Sequence, residues 1–167
     1  MSDWDPTQAI LDRFPYGIFV VACGDPDQDV TAIVATWLTQ ISFSPPLVAV
    51  SLEKDGIPAG EISRSGRFSI SLVPGKGIAL ARAILKSGPR FVRAHRDAMF
   101  LNTPSGVPVL RGSAGALECH VKQLHEAGDH LLVVAEVAGG ESAPSLEMLS
   151  LKETGWKYRN TRKPSTT

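Results

Sequence analysis

The 167-residue chain carries almost no charge bias: seventeen lysines and arginines balance seventeen aspartates and glutamates. A balance of this kind gives no electrostatic footprint for nucleic acid or a membrane surface, so neither partner is expected. Cysteine is nearly absent. Cys23 and Cys119 lie far apart, with no CxxC, which excludes a disulfide framework; on apolar runs they read as reduced core thiols. No apolar stretch approaches the roughly 20 residues a membrane helix needs. The acidic opening MSDWDPTQAILDRF has no long apolar block and does not read as a signal peptide, so a cytoplasmic location is expected.

The usual catalytic signatures are missing too. There is no GxGxxG, P-loop, HExxH or GxSxG, and no serine stands on a recognisable nucleophile turn. Of the four histidines, His95, His120, His125 and His130, the last three are spaced by five, a spacing that alternates sides on an extended chain. With no cysteine at zinc-ligand spacing beside them, no metal site is expected. No internal repeat or linker interrupts the chain, and a single domain over 1–167 is expected, with a loose tail from about 160.

What is present is an ordinary globular composition, 43% apolar and 20% charged, long enough to bury roughly 70% of its unfolded surface. Asp5-Pro6 reads as an N-cap followed by proline at the first helical position, opening a short helix to about residue 13. Strands are expected at 16–23, 30–35, 47–52 and 67–73, the third launched by Pro45-Pro46. Helices are expected at 60–65 and 77–86, the latter stopped by Gly88-Pro89. Residues 91–106 show little periodicity and read as a long loop. The clearest hairpin pairs 116–124, with Leu117, Cys119 and Val121 on one face, with 130–137 across a turn at 125–129. A loop at 139–145, a short edge strand at 148–151 and a last short piece at 156–158 complete the chain. Six or more strands with two or three short helices make the chain mainly β: an antiparallel β-barrel with peripheral helices, since a crossover parallel sheet would need regular strand–helix alternation.

One stretch offers a binding pattern. VATWLTQISFSPPLVAVSLEKD, residues 34–55, sets Thr36, Thr39, Ser42 and Ser44 before a buried strand that ends on Glu53-Lys54-Asp55. Backbone donors and short hydroxyls can hold the polar edge of a flat ring, with apolar contacts on its faces and Trp37 as an aromatic wall. Lys54 can meet a phosphate as a point charge. From the residues alone the plainer readings lead: threonines filling β positions, a solvated loop lysine, and a Gly128-Asp129-His130 turn that only seeds a strand.

The order of these features resembles the flavin reductase-like, FMN-binding split-barrel family over residues 14–158. Phe14-Pro15-x-Gly17 is similar to the family's opening, and residues 34–55 to its T-A-S-S-F-T-S-V-S-x-x-P-P-L-V segment, in the variant with Trp-x-Thr-Gln. Ser65-Gly66-Arg67-Phe68, Gly106-x-Pro108-x-Leu110-x-Gly112, Leu117-Glu118-Cys119 and Gly128-Asp129-His130 match further segments in order. The resemblance implies an antiparallel, Greek-key-like split barrel that acts as an NAD(P)H-dependent flavin reductase. It binds FMN, with FAD as the alternative, and takes NAD(P)H as co-substrate. Hydride passes from the nicotinamide to the flavin, and reduced flavin goes on to an acceptor or a partner monooxygenase. Ala35, Thr36, Trp37, Leu38 and Thr39 would line the flavin; Ser51, Glu53 and Lys54 would hold its phosphate, helped by Arg82 or Arg90. Gly128, Asp129 and His130 would lie at the nicotinamide end, His130 positioning that ring or stabilising reduced flavin, oriented by Asp129. A homodimer is implied.

Two departures from the family pattern stand out. Lys54-Asp55-Gly56-Ile57-Pro58 lacks the hydroxyls many relatives place there, and Trp37 replaces a small residue, which would shield one flavin face or narrow access to it. Two other functions fit the same fold: an FMN-bound electron carrier that exchanges electrons with a redox protein without NAD(P)H, and a non-redox module that binds flavin or haem, with His120 or His125 as haem ligands.

Overall fold

Short apolar runs, cut by glycine and proline turns, fold into antiparallel strands that share two hydrophobic cores. The computed structural model describes residues 6–91, 93–143 and 147–157, with backbone only at 93–95. Asp5 as a cap, the side chain of His95, Tyr158 and the tail lie outside the described residues. Helix α1 (Pro6–Leu11) is followed by β1 (Phe19–Cys23), β2 (Val30–Ala35), β3 (Leu38–Phe43) and β4 (Pro46–Glu53). Then come α2 (Ile57–Ser65), β5 (Arg67–Leu72), α3 (Ile78–Ser87), β6 (Arg90–Phe91), α4 (Arg93–Met99), β7 (Phe100–Asn102) and β8 (Pro108–Leu110). The long strands β9 (Gly115–Ala127) and β10 (His130–Ser142) precede α5 (Leu151–Thr154).

Eight strands form one sheet in the order β3-β4-β10-β9-β5-β1-β2-β6, and every pairing is antiparallel. The sheet curls until β2 and β4 touch without sharing a ladder, so the barrel is split along that seam. Residues from β1, β2, β4, β5, β9 and β10 meet inside it: Val21, Ala35, Val50, Phe68, Cys119 and Val133 belong to one buried cluster. Helix α2 plugs this core with Ala59 and Ile62. Each large side chain so buried contributes about 1.5–3 kcal/mol. The opposite face of β1 and β2, with Ile18, Val20, Val30 and Ala32, is covered by Ala81 and Ile84 of α3 and by the edge-packed rings of Phe91 and Phe100, 5.2 Å apart. Alternation along a strand thus feeds both cores.

The structure departs from the sequence reading in several places. The strand expected at 16–23 begins at Phe19. Residues 93–99 form a helix and 100–102 a strand where a loop is expected; Ala, Arg and Met favour helix, but seven residues are too few to show a period. Residues 38–43 are a strand, although largely exposed and without strict apolar–polar alternation, because β4 offers them an edge. His125 lies within β9, so the hairpin turn shrinks to Gly128 and Asp129. Gly139 and Gly140 continue β10 past a register shift at Val137, where a Cβ on Gly140 would meet the Ala116 carbonyl at 3.0 Å; such close approach is what glycine permits in a strand. The expected edge strand at 148–151 is two isolated bridges, Pro74↔Met148 and Gly17↔Ser150, running into α5.

Candidate functional site

Ala35 and Thr36 are buried where β2 ends, and the chain turns sharply into β3, the Leu38 amide donating to the Thr36 carbonyl at 3.0 Å. Between them, Trp37 is anchored to the neighbouring strand: its carbonyl accepts the Ser51 amide at 2.9 Å. Ser51 pairs with Leu132 across β4 and β10, and two residues further on Glu53 pairs with His130. Beyond Glu53 the Lys54 amide donates to the Asp129 carbonyl at 3.1 Å, tying the end of β4 to the β9–β10 turn. Gly128 takes φ 64° at the first central position of that turn, and among the described residues no non-glycine has positive φ, as a two-residue hairpin of the type II′ kind requires.

These connections bring Trp37 onto His130, ring centroids 4.8 Å apart and tilted by 45°. On its other side, His130 Nδ1 lies 2.6 Å from Asp129 Oδ1. An ionised carboxylate only accepts, so Nδ1 carries the proton and Nε2 is left for a ligand. Six of the residues singled out in the sequence, Trp37, Ser51, Glu53, Lys54, Asp129 and His130, therefore share one rim, with Gly128 making its turn. Leu38 pairs with Val50 and Thr39 with Ala49 on β3; Thr39 is exposed and its hydroxyl donates to the Gln40 carbonyl at 3.3 Å.

Trp37 also lines a cleft of about 950 Å³, whose other walls include Leu11, Phe14, Tyr16, Met148 and Trp156. Its frame joins distant parts of the chain. Ile18 donates to Leu149 and Leu151 to Tyr16, each at 2.8 Å. A capping box secures α5: the Ser150 hydroxyl accepts from the Glu153 amide while the Glu153 carboxylate takes the Ser150 amide. Hydrogen bonds from Ser150 hold the Glu153 carboxyl below its usual range. Sequence reasoning missed this cleft. The Phe14-Pro15-x-Gly17 motif was its one available signal.

Helix α2 opens two residues after Lys54 and Asp55. Gly56 is its N-cap, no side chain bonds back over the first turn, and Pro58 sits in that turn. An exposed lysine beside a helix N-terminus is a donor set suited to an anion. The two arginines proposed as helpers lie elsewhere. Arg82 is on the exposed side of α3, over the second core. Arg90 is 3.9 Å from Glu61, around a separate hollow of about 520 Å³ shared with Arg64.

Residues 11–154 match the family model described as the flavin reductase like domain. The chain belongs to that family. It is 25% identical over 134 residues to a flavin reductase of Pseudomonas putida, covering 78% of this chain and 75% of the relative. It is 29% identical over 127 residues to the FMN reductase (NADH) of Agrobacterium fabrum, covering 76% and 70%. Among solved structures it resembles the NADH:FAD oxidoreductase SgcE6 of Streptomyces globisporus C-1027, with a TM-score of 0.77 at 25% identity over 90% of this chain and 92% of that one. The residues of this flavin reductase-like chain fit a flavin: the cleft has aromatic and apolar side chains, Trp37 among them, between polar ones, and the cation and helix terminus suit an anionic tail.

Proposed function

We propose that the chain is an NADH-dependent flavin reductase that takes FMN, with FAD as the alternative flavin, and delivers reduced flavin to an acceptor such as a partner monooxygenase. The observation that carries this reading is the rim on which Trp37, the Asp129–His130 pair and Lys54 converge. The redox chemistry belongs to the bound flavin, which takes a hydride from reduced nicotinamide; the protein supplies binding, orientation and electrostatics. In this reading Ala35, Thr36, Trp37, Leu38 and Thr39 line the ring. Ser51, Glu53, Lys54 and the first turn of α2 hold the phosphate. His130, fixed by Asp129, presents Nε2 to the nicotinamide or to negative charge on the ring. Trp37 and the cleft walls exclude water, and holding two rings in register is worth on the order of 7–11 kcal/mol.

The names of the relatives favour NADH over NADPH. A second copy of the chain is part of the proposal: β3 ends the sheet, and its Ile41 and Phe43 are 48% and 90% exposed, an apolar edge that a soluble chain covers. Among the described residues no helix is long and apolar enough to cross a membrane.

The test is NADH consumption with added FMN, run on protein whose sedimentation mass is twice that of the chain. His130→Ala should lower turnover about 10- to 100-fold, at the low end of what a positioned acid–base group contributes, with FMN affinity unchanged. Unchanged turnover removes His130 from the reaction, and no NADH consumption by the unmodified chain removes the reductase reading.

A further inference from the structure

Asp129 alone does not fix His130. Its carboxylate is 54% exposed, so water competes for the 2.6 Å hydrogen bond, and one hydrogen bond at Nδ1 leaves the ring free to swing about it. The imidazole is nevertheless four-fifths covered, at 20% side-chain exposure. Trp37 makes the contact across its face. The backbone that carries the indole is fixed, its carbonyl bonded to the Ser51 amide on β4. Through the β4–β10 register, Ser51 faces Leu132, and His130 projects to the same side two residues on. The backbone hydrogen bond that places Trp37 is thus in register with the strand that places His130. The same indole forms part of the wall of the cleft.

We infer that Trp37 is a positioning residue for His130. It holds the imidazole against Asp129 behind the part of the cleft wall that Trp37 forms, so that an aromatic ligand seated against the indole and the orientation of His130 are coupled. This rests on the flavin reductase reading above. The charged groups around the imidazole are Asp129 on its own turn, Glu53 directly opposite on β4, Lys54 beyond it, and Glu126 on β9 beside its ladder partner Ala127.

Two measurements test it. The first needs no flavin and no turnover. An imidazole in contact with an indole perturbs its emission, so at one fixed pH the tryptophan emission of the purified chain should differ from that of His130→Gln. The difference should vanish when both carry Trp37→Phe. The second is kinetic, with FMN saturating so that the part Trp37 plays in binding the ring is not read. Trp37→Ala should lower kcat with NADH about two- to tenfold, the range an aromatic pair contact commands, while Trp37→Phe restores most of it. In the His130→Gln background Trp37→Ala should lower kcat by a smaller factor than in the native chain, since the residue it positions is gone. A missing emission difference, or losses that multiply independently in the double variant, overturns the inference alone. Absence of NADH consumption by the unmodified chain overturns the reductase reading beneath it, and the emission difference is read independently of that result.

Discussion

Arg96 and His130 are both polar side chains that pin a turn between strands, and they are finished differently. Arg96, on α4, is 2% exposed. Its Nη1 donates to the carbonyls of Asp25 and Gln28, and its Nη2 to Asn102 Oδ1 at 2.8 Å. The loop it grips is gripped again from outside, where Arg67 meets Asp25 at 3.0 Å. Those donors are spent within the protein, and the group is a staple. His130 has one nitrogen held by a carboxylate and one face held by an indole, on a rim beside a cleft. Among the described residues its remaining nitrogen has no hydrogen bond. Arg96 Nε, buried without a hydrogen bond, lies 3.4 Å from Asp97 Oδ1. Full burial with both terminal nitrogens bound to a loop makes architecture, whereas partial burial with one nitrogen left over makes a binding group.

The interior can be tested hardest through its thiols. Cys23 and Cys119 sit in the barrel core, and desolvation pushes both thiols up from 9.0 to about 12. A raised pKa means that the folded chain keeps a proton the unfolded chain sheds. The resulting stability is fully present below about pH 9 and is lost as pH rises toward 12. Full loss is on the order of 4 kcal/mol per thiol. Denaturant midpoints measured from pH 8 to 11 should therefore fall more steeply for the native chain than for Cys119→Ala. Equal slopes would mean that the thiol is ionisable in place.

Next in size is the staple itself. Arg96→Ala strands the acceptors of the 24–29 loop and should cost about 3 kcal/mol, the scale of hydrogen bonds to a charged donor in a buried site. The melting temperature should drop, while NADH turnover per folded molecule stays within about twofold. A large kinetic loss in folded protein would place Arg96 in the working site and erase the contrast with His130.

The strands at 30–35 and 46–53 are legible in the sequence as apolar runs, the second launched at Pro45-Pro46, and the strand at 67–72 by its alternation. The hairpin is legible from Leu117, Cys119 and Val121, which do face the first core. Much of the family pattern proves architectural: Gly66 caps α2 in the left-handed region, and Pro108 and Leu110 are wired through their backbones to Ser69 and Ser71. What local pattern could not show is what distant segments build together. The cleft is walled by residues 11–17 and 148–157, and the Gly17↔Ser150 bridge that joins them consists of the two hydrogen bonds Ile18–Leu149 and Leu151–Tyr16. Trp37 meets His130 only because Ser51 ties one strand register to another. Thr36, read as an offered hydroxyl, is buried. The helix at 93–99 is set by what Arg96 finds to bind.

The smallest effect separates the two ends of the ligand. Lys54 is exposed, so its attraction to a phosphate is screened and worth about 1 kcal/mol at most. The first turn of α2 remains to share the load. Lys54→Ala should therefore weaken FMN binding about three- to fivefold and leave riboflavin, which has the ring but no phosphate, unchanged. Raising salt should erode FMN affinity in the native chain more than in the variant. Equal loss for FMN and riboflavin would move Lys54 from the anionic tail to the ring, and the anion site would then rest on the helix terminus alone.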